Sequence, residues 1–169
     1  MSNFKTISPE DIKANPFHLI GKEWMLVTAE MNGKVNTMTA NWGGVGVMWN
    51  KDVVFVVIRP SRYTKDFVDH SSTFSLTFFD QSHRNVLAYL GSVSGKDENK
   101  ISKTSLEIIY EDNTPFFKQA KTVLLCKKLF AQPYKKESFI DLVIENQVYN
   151  GEDYHTLYIA EITKVLISE

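Results

Sequence analysis

The chain has 169 residues, of which 43% are hydrophobic and 12% aromatic, and its 19 basic residues nearly balance its 20 acidic ones. This length and hydrophobic content suffice for one core, so we predict a single domain over residues 1–169. The net charge of -1 and the lack of a Lys/Arg run argue against a nucleic-acid partner. No apolar run approaches the length of a membrane span, so no membrane partner is expected.

The first thirteen residues are polar and lack the apolar segment of a signal peptide, so we expect a cytoplasmic protein. The lone cysteine, Cys126, lies in an apolar stretch, which predicts a buried thiol and not a nucleophile. The histidines are scattered, without Cys or carboxylate neighbours at metal-ligand spacing. No metal site is predicted.

Two strand pairs are predicted in the first third of the chain. Residues 24–31 and 34–40 flank Asn32-Gly33, a dipeptide that readily adopts the positive φ angles of a type I′ turn, and therefore predict a hairpin. Residues 45–49 and 53–58 predict two further strands, separated by residues 50–52. The unbroken apolar run from 53 to 58 is typical of a strand covered on both faces, as inside a barrel or sandwich.

The segment that follows the apolar strand predicts a helix with an anion site at its start. Ser61 is a good N-cap, and Tyr63 and Phe67 would share one helix face. The free amides of the first turn, together with Arg59 and Arg62, would form a phosphate-sized anion site. The alternative is that both arginines are solvated at a strand-to-helix corner and that Ser61 only caps the helix.

A second helix is predicted over residues 83–90, capped by Asp80 or Ser82 and ended by Gly91. The polar residues 92–100 then predict a loop, for which a solvated surface position is the default. If this loop folded over the arginine corner, its lysines could add a second positive charge to the same anion.

The rest of the chain adds strands over residues 74–79, 122–131 and 154–167, for a total of seven. Residues 139–146 fit either a helix begun at Ser138 or a strand, and we favour the helix. The chain is therefore expected to be mainly β with short helices. The chain has no P-loop and no Gly-x-Ser-x-Gly pattern. Its glycine-rich stretch lacks the third glycine and the βαβ unit of a dinucleotide-binding loop.

Residues 36–44 carry small hydroxyl and amide side chains around Trp42 and end in two glycines. Such a segment suits a bound planar ligand, because polar groups can fix its rim and an indole can lie near its face. Glycines also let the backbone come close to a ligand. The alternative is a strand end followed by an ordinary turn.

Four segments, at residues 36–42, 59–66, 94–100 and 153–162, together resemble the flavin reductase-like family, whose members have an FMN-binding split β-barrel. The resemblance implies a β-barrel with short helices that forms a homodimer and binds FMN near the subunit interface. It further implies an FMN-dependent oxidoreductase that takes hydride from NAD(P)H and passes electrons to an unknown second acceptor. The alternatives are an FMN-bearing electron carrier reduced by a partner protein and a non-catalytic flavin-binding module.

The resemblance also assigns cofactor-binding residues by position. The segment that lines the isoalloxazine ring and ribityl chain corresponds to Thr39, Ala40, Asn41 and Trp42. The segment around the phosphate corresponds to Arg59, Ser61, Arg62, Tyr63 and Thr64. Further candidates are Asn36, Lys100 as a phosphate or flavin contact, and His155, which would lie near the flavin edge or be a core histidine. No catalytic acid or base is assigned, because the flavin carries the difficult chemistry.

Overall fold

The computed structural model describes residues 4–169, so the first three residues of the predicted domain lie outside the described part. Its main feature is an eight-stranded antiparallel sheet in the order β3-β2-β6-β9-β10-β5-β4, with β1 paired to β10, beside a small β7-β8 sheet. The strands are β1 (Phe4–Ile7), β2 (Met25–Met31), β3 (Lys34–Ala40), β4 (Gly43–Met48), β5 (Lys51–Ile58), β6 (Thr73–Phe78), β7 (Ile108–Glu111), β8 (Thr114–Phe117), β9 (Thr122–Pro133) and β10 (Thr156–Ser168).

Short helices connect these strands. The α-helices are α1 (Pro16–His18), α2 (Thr64–His70), α3 (Arg84–Ser92) and α4 (Leu142–Ile144). Single 3-10 turns lie at Pro9–Asp11, Gln81–His83, Ile101–Lys103 and Lys136–Ser138, and π-helical turns at Leu19–Glu23 and Glu145–Tyr149. The prediction of a mainly β chain with short helices is confirmed. No helix within residues 4–169 combines the length and apolar character that crossing a membrane requires.

The two edges of the main sheet meet because β3 and β4 are consecutive in the chain. Only Asn41 and Trp42 separate the end of β3 from the start of β4, although these strands are at opposite ends of the sheet order. The sheet therefore curls back on itself and forms a barrel that is split between β3 and β4. Gly43 permits this connection, since a Cβ there would be 2.3 Å from the Phe55 carbonyl oxygen.

Strand alternation divides the apolar residues between two clusters. Val27 and Leu124 belong to a large cluster inside the barrel, whereas their neighbours Leu26 and Val123 belong to a second cluster beneath α3 and β8. Cys126 is fully buried in the first cluster, as predicted, and burial raises the pKa of its thiol. The inward and outward faces of β2 and β9 are thus both covered.

The φ angles of the turn residues show that one predicted hairpin turn is correct and that the other is displaced. Asn32 and Gly33 have φ angles of 53° and 74°, so the first hairpin is confirmed. The second turn is formed by Trp49 and Asn50, at 54° and 56°, and not by residues 50–52. Lys51 therefore already belongs to β5.

Several sequence predictions about element boundaries are wrong. The described chain has ten strands and not seven, because the four-residue strands β1, β7 and β8 are too short for a clear alternation. Gly91 lies inside α3 and does not end it. Asp80 accepts a cap bond from the Ser82 amide, but this bond caps the 3-10 turn Gln81–His83, and α3 itself has no side-chain cap. The helix favoured over 139–146 is present but begins later, at Leu142, where Asp141 caps it in place of Ser138, and it continues from α4 into the π-helical turn Glu145–Tyr149.

Ser61 is not the N-cap of α2. The helix begins at Thr64 with Tyr63 before it, and the Ser61 amide and hydroxyl both donate to the Asp153 carboxylate, at 2.9 and 2.7 Å. A long-range partner has therefore replaced the local capping bond that the sequence suggested. This partner helps to shape the site described next.

Candidate functional site

Two adjoining cavities open at the split of the barrel. The Trp42 cavity, of about 250 Å³, is lined by Met38, Thr39, Ala40, Asn41, Trp42, Val57, Arg59, Arg62 and His155. The Lys100 cavity, of about 180 Å³, is lined by Asn36, Met38, Ser61, Arg62, Tyr63, Thr64, Gly91, Ser92, Val93, Ser94, Gly95 and Lys100. Met38 and Arg62 line both, so the two cavities form one elongated cleft. All twelve residues that the sequence nominated line this cleft.

The Lys100 cavity contains two cations, the buried Lys100 and the half-buried Arg62. Lys100 is only 3% exposed, and its ammonium group donates to the carbonyl oxygens of Leu90 and Val93, at 2.7 and 2.8 Å, where α3 ends. Arg62 donates to the carbonyl oxygen of Gly91 at 3.3 Å. Within the described chain, no ion pair joins either cation to a carboxylate.

Burial makes these two charges costly. It lowers the pKa of Lys100 to about 8, with a further contribution from the charge of Arg62, and it also lowers the pKa of Arg62. Lys100 keeps one ammonium proton beyond its two carbonyl bonds, and the Arg62 guanidinium has donors to spare. An anion in this cavity would accept hydrogen bonds from the unused donors of both cations.

Neutral contacts hold the wall of the Lys100 cavity. The Asn36 amide donates to the Thr64 hydroxyl at 3.1 Å and thereby joins β3 to α2. A Cβ on Gly95 would be 2.4 Å from the Asn36 carboxamide oxygen, so glycine is needed where the 92–100 loop meets β3. Thr64 accepts the Asn36 bond and keeps its own hydroxyl proton for a ligand. The 92–100 loop therefore lies over the arginine corner at Arg62, and the solvated surface position that was the default expectation is wrong.

Close packing against α3 fixes the part of β3 between the two cavities. The Thr39 hydroxyl donates to the Leu87 carbonyl oxygen at 2.5 Å. A Cβ on Gly91 would approach the Thr39 Cβ to 3.1 Å, so a larger residue there would require Thr39 or α3 to shift by a few tenths of an ångström. The Thr39 hydroxyl is therefore a structural donor, although its residue lines the Trp42 cavity.

Arg59 and Arg62 have different surroundings. Arg59 donates to the carbonyl oxygens of Val148 and Asp153, at 3.1 and 3.3 Å, and lies 3.6 Å from the Asp153 carboxylate. It thus ties the end of β5 to the segment before β10 and lines the Trp42 cavity. The resemblance grouped Arg59 with the phosphate segment, whereas the structure places only Arg62 of the two arginines in the Lys100 cavity.

Aromatic groups form the other end of the cleft. Trp42 is 47% exposed, and its ring centroid lies 5.3 Å from that of His155. His155 is 7% exposed, and its Nδ1 lies 2.8 Å from the Tyr149 hydroxyl. The two alternatives for His155 therefore both apply, since it is a tied, buried histidine and also lines the Trp42 cavity. Burial and the nearby charge of Arg59 lower its pKa to about 4.

Some lining residues were missed by the sequence reasoning. Val93, Ser94 and Gly95 reach the Lys100 cavity through the fold of the loop, and only the polar character of that loop hinted at it. Tyr149 carried no signal, because its contact with His155 depends on a π-helical turn.

The fold and the cleft define a class of protein: a split antiparallel barrel with a groove that is cationic at one end and aromatic at the other. Residues 17–169 match the model of the flavin reductase like domain. The chain therefore belongs to the flavin reductase-like family. No curated protein matches it significantly.

Solved structures agree with this assignment. An FMN-binding domain of a flavin reductases-like enzyme from Shewanella baltica is 20% identical, with a TM-score of 0.72, and the alignment covers 99% of this chain and 78% of that one. Flavoredoxin from Methanosarcina acetivorans is 22% identical, with a TM-score of 0.67 and coverages of 87% and 68%. The styrene monooxygenase flavin reductase from Pseudomonas putida is 16% identical, with a TM-score of 0.65 and coverages of 87% and 80%. The expected split-barrel fold is confirmed.

The buried, neutral His155 predicts a specific pH dependence of stability. Its folded pKa of about 4 lies below the ordinary 6.5, so between these values the unfolded chain binds a proton that the folded chain does not. Its contribution to the free energy of unfolding is present above pH 6.5 and lost as the pH falls towards 4, by at most about 1.4 kcal/mol per pH unit. Urea titrations across this range should show a flatter dependence for His155→Gln. The exposed His18→Gln control should keep the original slope, and an unchanged slope in His155→Gln would contradict the prediction.

Proposed function

We propose that this protein is an FMN-dependent oxidoreductase that takes hydride from NAD(P)H onto bound FMN and passes electrons to a second acceptor. The observation that carries the proposal is a pair of cations, the buried Lys100 and the half-buried Arg62, that no carboxylate of residues 4–169 pairs with, at one end of a cleft whose other end is aromatic. A phosphate ester of a planar ring has this distribution of charge and shape. Family membership supports the same ligand class.

The Lys100 cavity would hold the phosphate. Arg62 offers a guanidinium donor, Lys100 its remaining ammonium proton and Thr64 its hydroxyl proton. Because both cations are largely withdrawn from water, a phosphate would form strong charge-assisted hydrogen bonds with them. Ser61 lies at this cavity, but its hydroxyl proton is already donated to Asp153 and is not free for the ligand.

The Trp42 cavity would hold the isoalloxazine ring. Ala40 and Asn41 line the cavity beside Trp42, and His155 contributes a neutral imidazole. When bound, FMN supplies the redox chemistry, as acceptor of hydride and donor of electrons. The protein's residues bind and orient the ring and exclude water from its buried side. No residue of the cleft is assigned as a proton donor or acceptor in the reaction.

A second candidate function is an FMN-bearing electron carrier reduced by a partner protein. Flavoredoxins are among the solved structures with this fold. The half-exposed Trp42 leaves the aromatic end of the cleft open to solvent, where either a nicotinamide or a partner protein could approach. A flavin-binding module without turnover is the remaining alternative.

Stopped-flow absorbance separates these functions. We expect the purified protein to bind FMN and turn yellow, and we expect mixing with NADH or NADPH to bleach the colour within seconds. Bleaching only after addition of a reduced ferredoxin-like protein would instead establish the carrier function. Failure to bind added FMN at all would overturn every one of these proposals.

Arg62 should distinguish FMN from riboflavin, because only FMN has a phosphate. In Arg62→Gln, FMN affinity should fall by roughly 1.5 to 3 kcal/mol while riboflavin affinity changes little. Arg59→Gln should weaken both ligands alike, since Arg59 holds the 145–153 segment beside the ring. Fluorescence titration measures both affinities, with the exposed Lys34→Gln as control. Equal losses for both ligands in Arg62→Gln would contradict the phosphate assignment.

We also propose a homodimer that forms through the outer face of the barrel near its split. Gly44, Gly46 and Met48 on β4 share this face with Phe55 on β5 and Phe130 on β9. The glycines leave the face flat, and Met48 and Phe130 are 36% and 39% exposed. An exposed apolar patch of this kind suits a second protein surface. The cytoplasmic location stays a prediction of the sequence.

A charge on this face should separate the subunits. Light scattering should give the wild-type protein twice the chain mass of 19.4 kDa, and Met48→Glu about one chain mass at the same concentration. The control Lys34→Glu changes the first residue of β3, a strand that contributes no residue to this face, and should remain dimeric. A monomeric wild-type protein, or a dimeric Met48→Glu, would contradict this interface.

A further inference from the structure

A buried hydrogen bond joins Tyr149, which has no part in the function proposed so far, to His155. The two side chains are 8% and 7% exposed, and the Tyr149 hydroxyl lies 2.8 Å from His155 Nδ1. His155 also lines the Trp42 cavity. This hydrogen bond therefore connects the protein interior to the aromatic end of the cleft.

Aromatic packing fixes the Tyr149 ring. It stacks on Tyr154, with centroids 5.1 Å apart and planes 24° from parallel, and it lies 5.3 Å from Phe139. The Arg59 guanidinium lies 5.1 Å from its centroid and also donates to the neighbouring Val148 carbonyl oxygen. The Tyr149 hydroxyl is thus held in place from several sides, and its reach towards His155 is set by the fold.

Hydrogen-bond satisfaction decides the direction of the Tyr149–His155 bond. If His155 carried its proton on Nδ1, it would donate to Tyr149, and the Tyr149 hydroxyl proton would need a second acceptor in a buried place. His155 Nδ1 is the hydrogen-bond partner that the structure gives this hydroxyl. A buried donor without a partner is costly, so Tyr149 donates to an unprotonated Nδ1. The imidazole proton is then on Nε2.

The charged groups around His155 favour the neutral ring. Burial and the positive charge of Arg59 disfavour the imidazolium. The Asp153 carboxylate favours it, but more weakly, because that carboxylate already interacts with Arg59 and Ser61. Trp42 and Tyr134 complete the surroundings, with ring centroids 5.3 and 6.4 Å from that of His155. Nε2 therefore carries a proton without carrying a charge.

We propose that Tyr149 is a positioning residue that locks His155 in the Nε2-protonated tautomer, so that His155 offers a neutral N–H donor to a ligand in the Trp42 cavity. The recognised atom would be a hydrogen-bond acceptor at the edge of a planar ring, either a carbonyl oxygen or an unprotonated ring nitrogen. Only the identity of this ring, the isoalloxazine of FMN, rests on the proposed function. The locked tautomer is a property of the protein alone.

Nitrogen-15 NMR of histidine-labelled, FMN-free protein tests the lock directly. The wild-type protein should show His155 with a protonated Nε2 and an unprotonated Nδ1 at every pH from 7.5 down to about 5.5. Tyr149→Phe removes the hydroxyl and should give a mixture of both tautomers. Tyr134→Phe is the matched control, because it removes a tyrosine hydroxyl from the same aromatic cluster but leaves the His155 partner in place.

Fluorescence titration with FMN then tests the ligand contact. Tyr149→Phe should raise the FMN dissociation constant about threefold to tenfold, the loss expected for one neutral hydrogen bond, and Tyr134→Phe should not. A wild-type His155 that is protonated on Nδ1 or charged near neutral pH would overturn the proposal, even if Tyr149→Phe failed to fold. So would an unaltered tautomer or an unchanged FMN affinity in a folded Tyr149→Phe. A wild-type protein that shows the locked tautomer but does not bind FMN would refute the proposed function and with it the ligand contact, while the lock itself would stand.

Discussion

The cleft depends on two hydrogen bonds that strand β3 makes with the helices on either side of it. Asn36 donates to Thr64 at the start of α2, and Thr39 donates to Leu87 on α3. Gly91 and Gly95 allow the backbone to come close enough for these contacts. Because both bonds come from one strand, α2, α3 and the loop after α3 are held around a single space. Without these two bonds, the cations from these elements would not line one common cavity.

The buried Lys100 and the half-buried Arg62 have no carboxylate partner within the described chain, so their desolvation is unfavourable. Lys100 gains two carbonyl bonds at the end of α3, where the helix dipole favours a positive charge, and this offsets part of the desolvation cost. The remaining cost is relieved when an anion binds. The affinity for a phosphate that we propose would come from the withdrawal of Lys100 and Arg62 from water, and within residues 4–169 no acidic side chain forms an ion pair with either.

The aromatic end of the cleft is organised differently, because its cation Arg59 has a carboxylate partner in Asp153 and its histidine, His155, is neutral. Arg59 is engaged by the 145–153 segment, and His155 by Tyr149. The ring of the proposed FMN, which would change its own charge on reduction, would meet no group here that we expect to gain or lose a proton in response. The buried cation Lys100 lies at the other end of the cleft.

The sequence by itself determined the local features: the Asn32-Gly33 hairpin, the buried β5 and a polar corner around Arg62. Four ordered segments also predicted the family and twelve of the residues that line the cleft. The local features are readable because turn chemistry and strand alternation act between near neighbours. Only the tertiary structure decided that Arg59 and Ser61 face the 145–153 segment, some 90 residues later, and that Tyr149 holds His155. Two arginines three positions apart look equivalent in sequence, but each pairs with whatever the folded chain brings beside it. Such partners depend on how β5 and β10 align in the sheet, which no local pattern encodes.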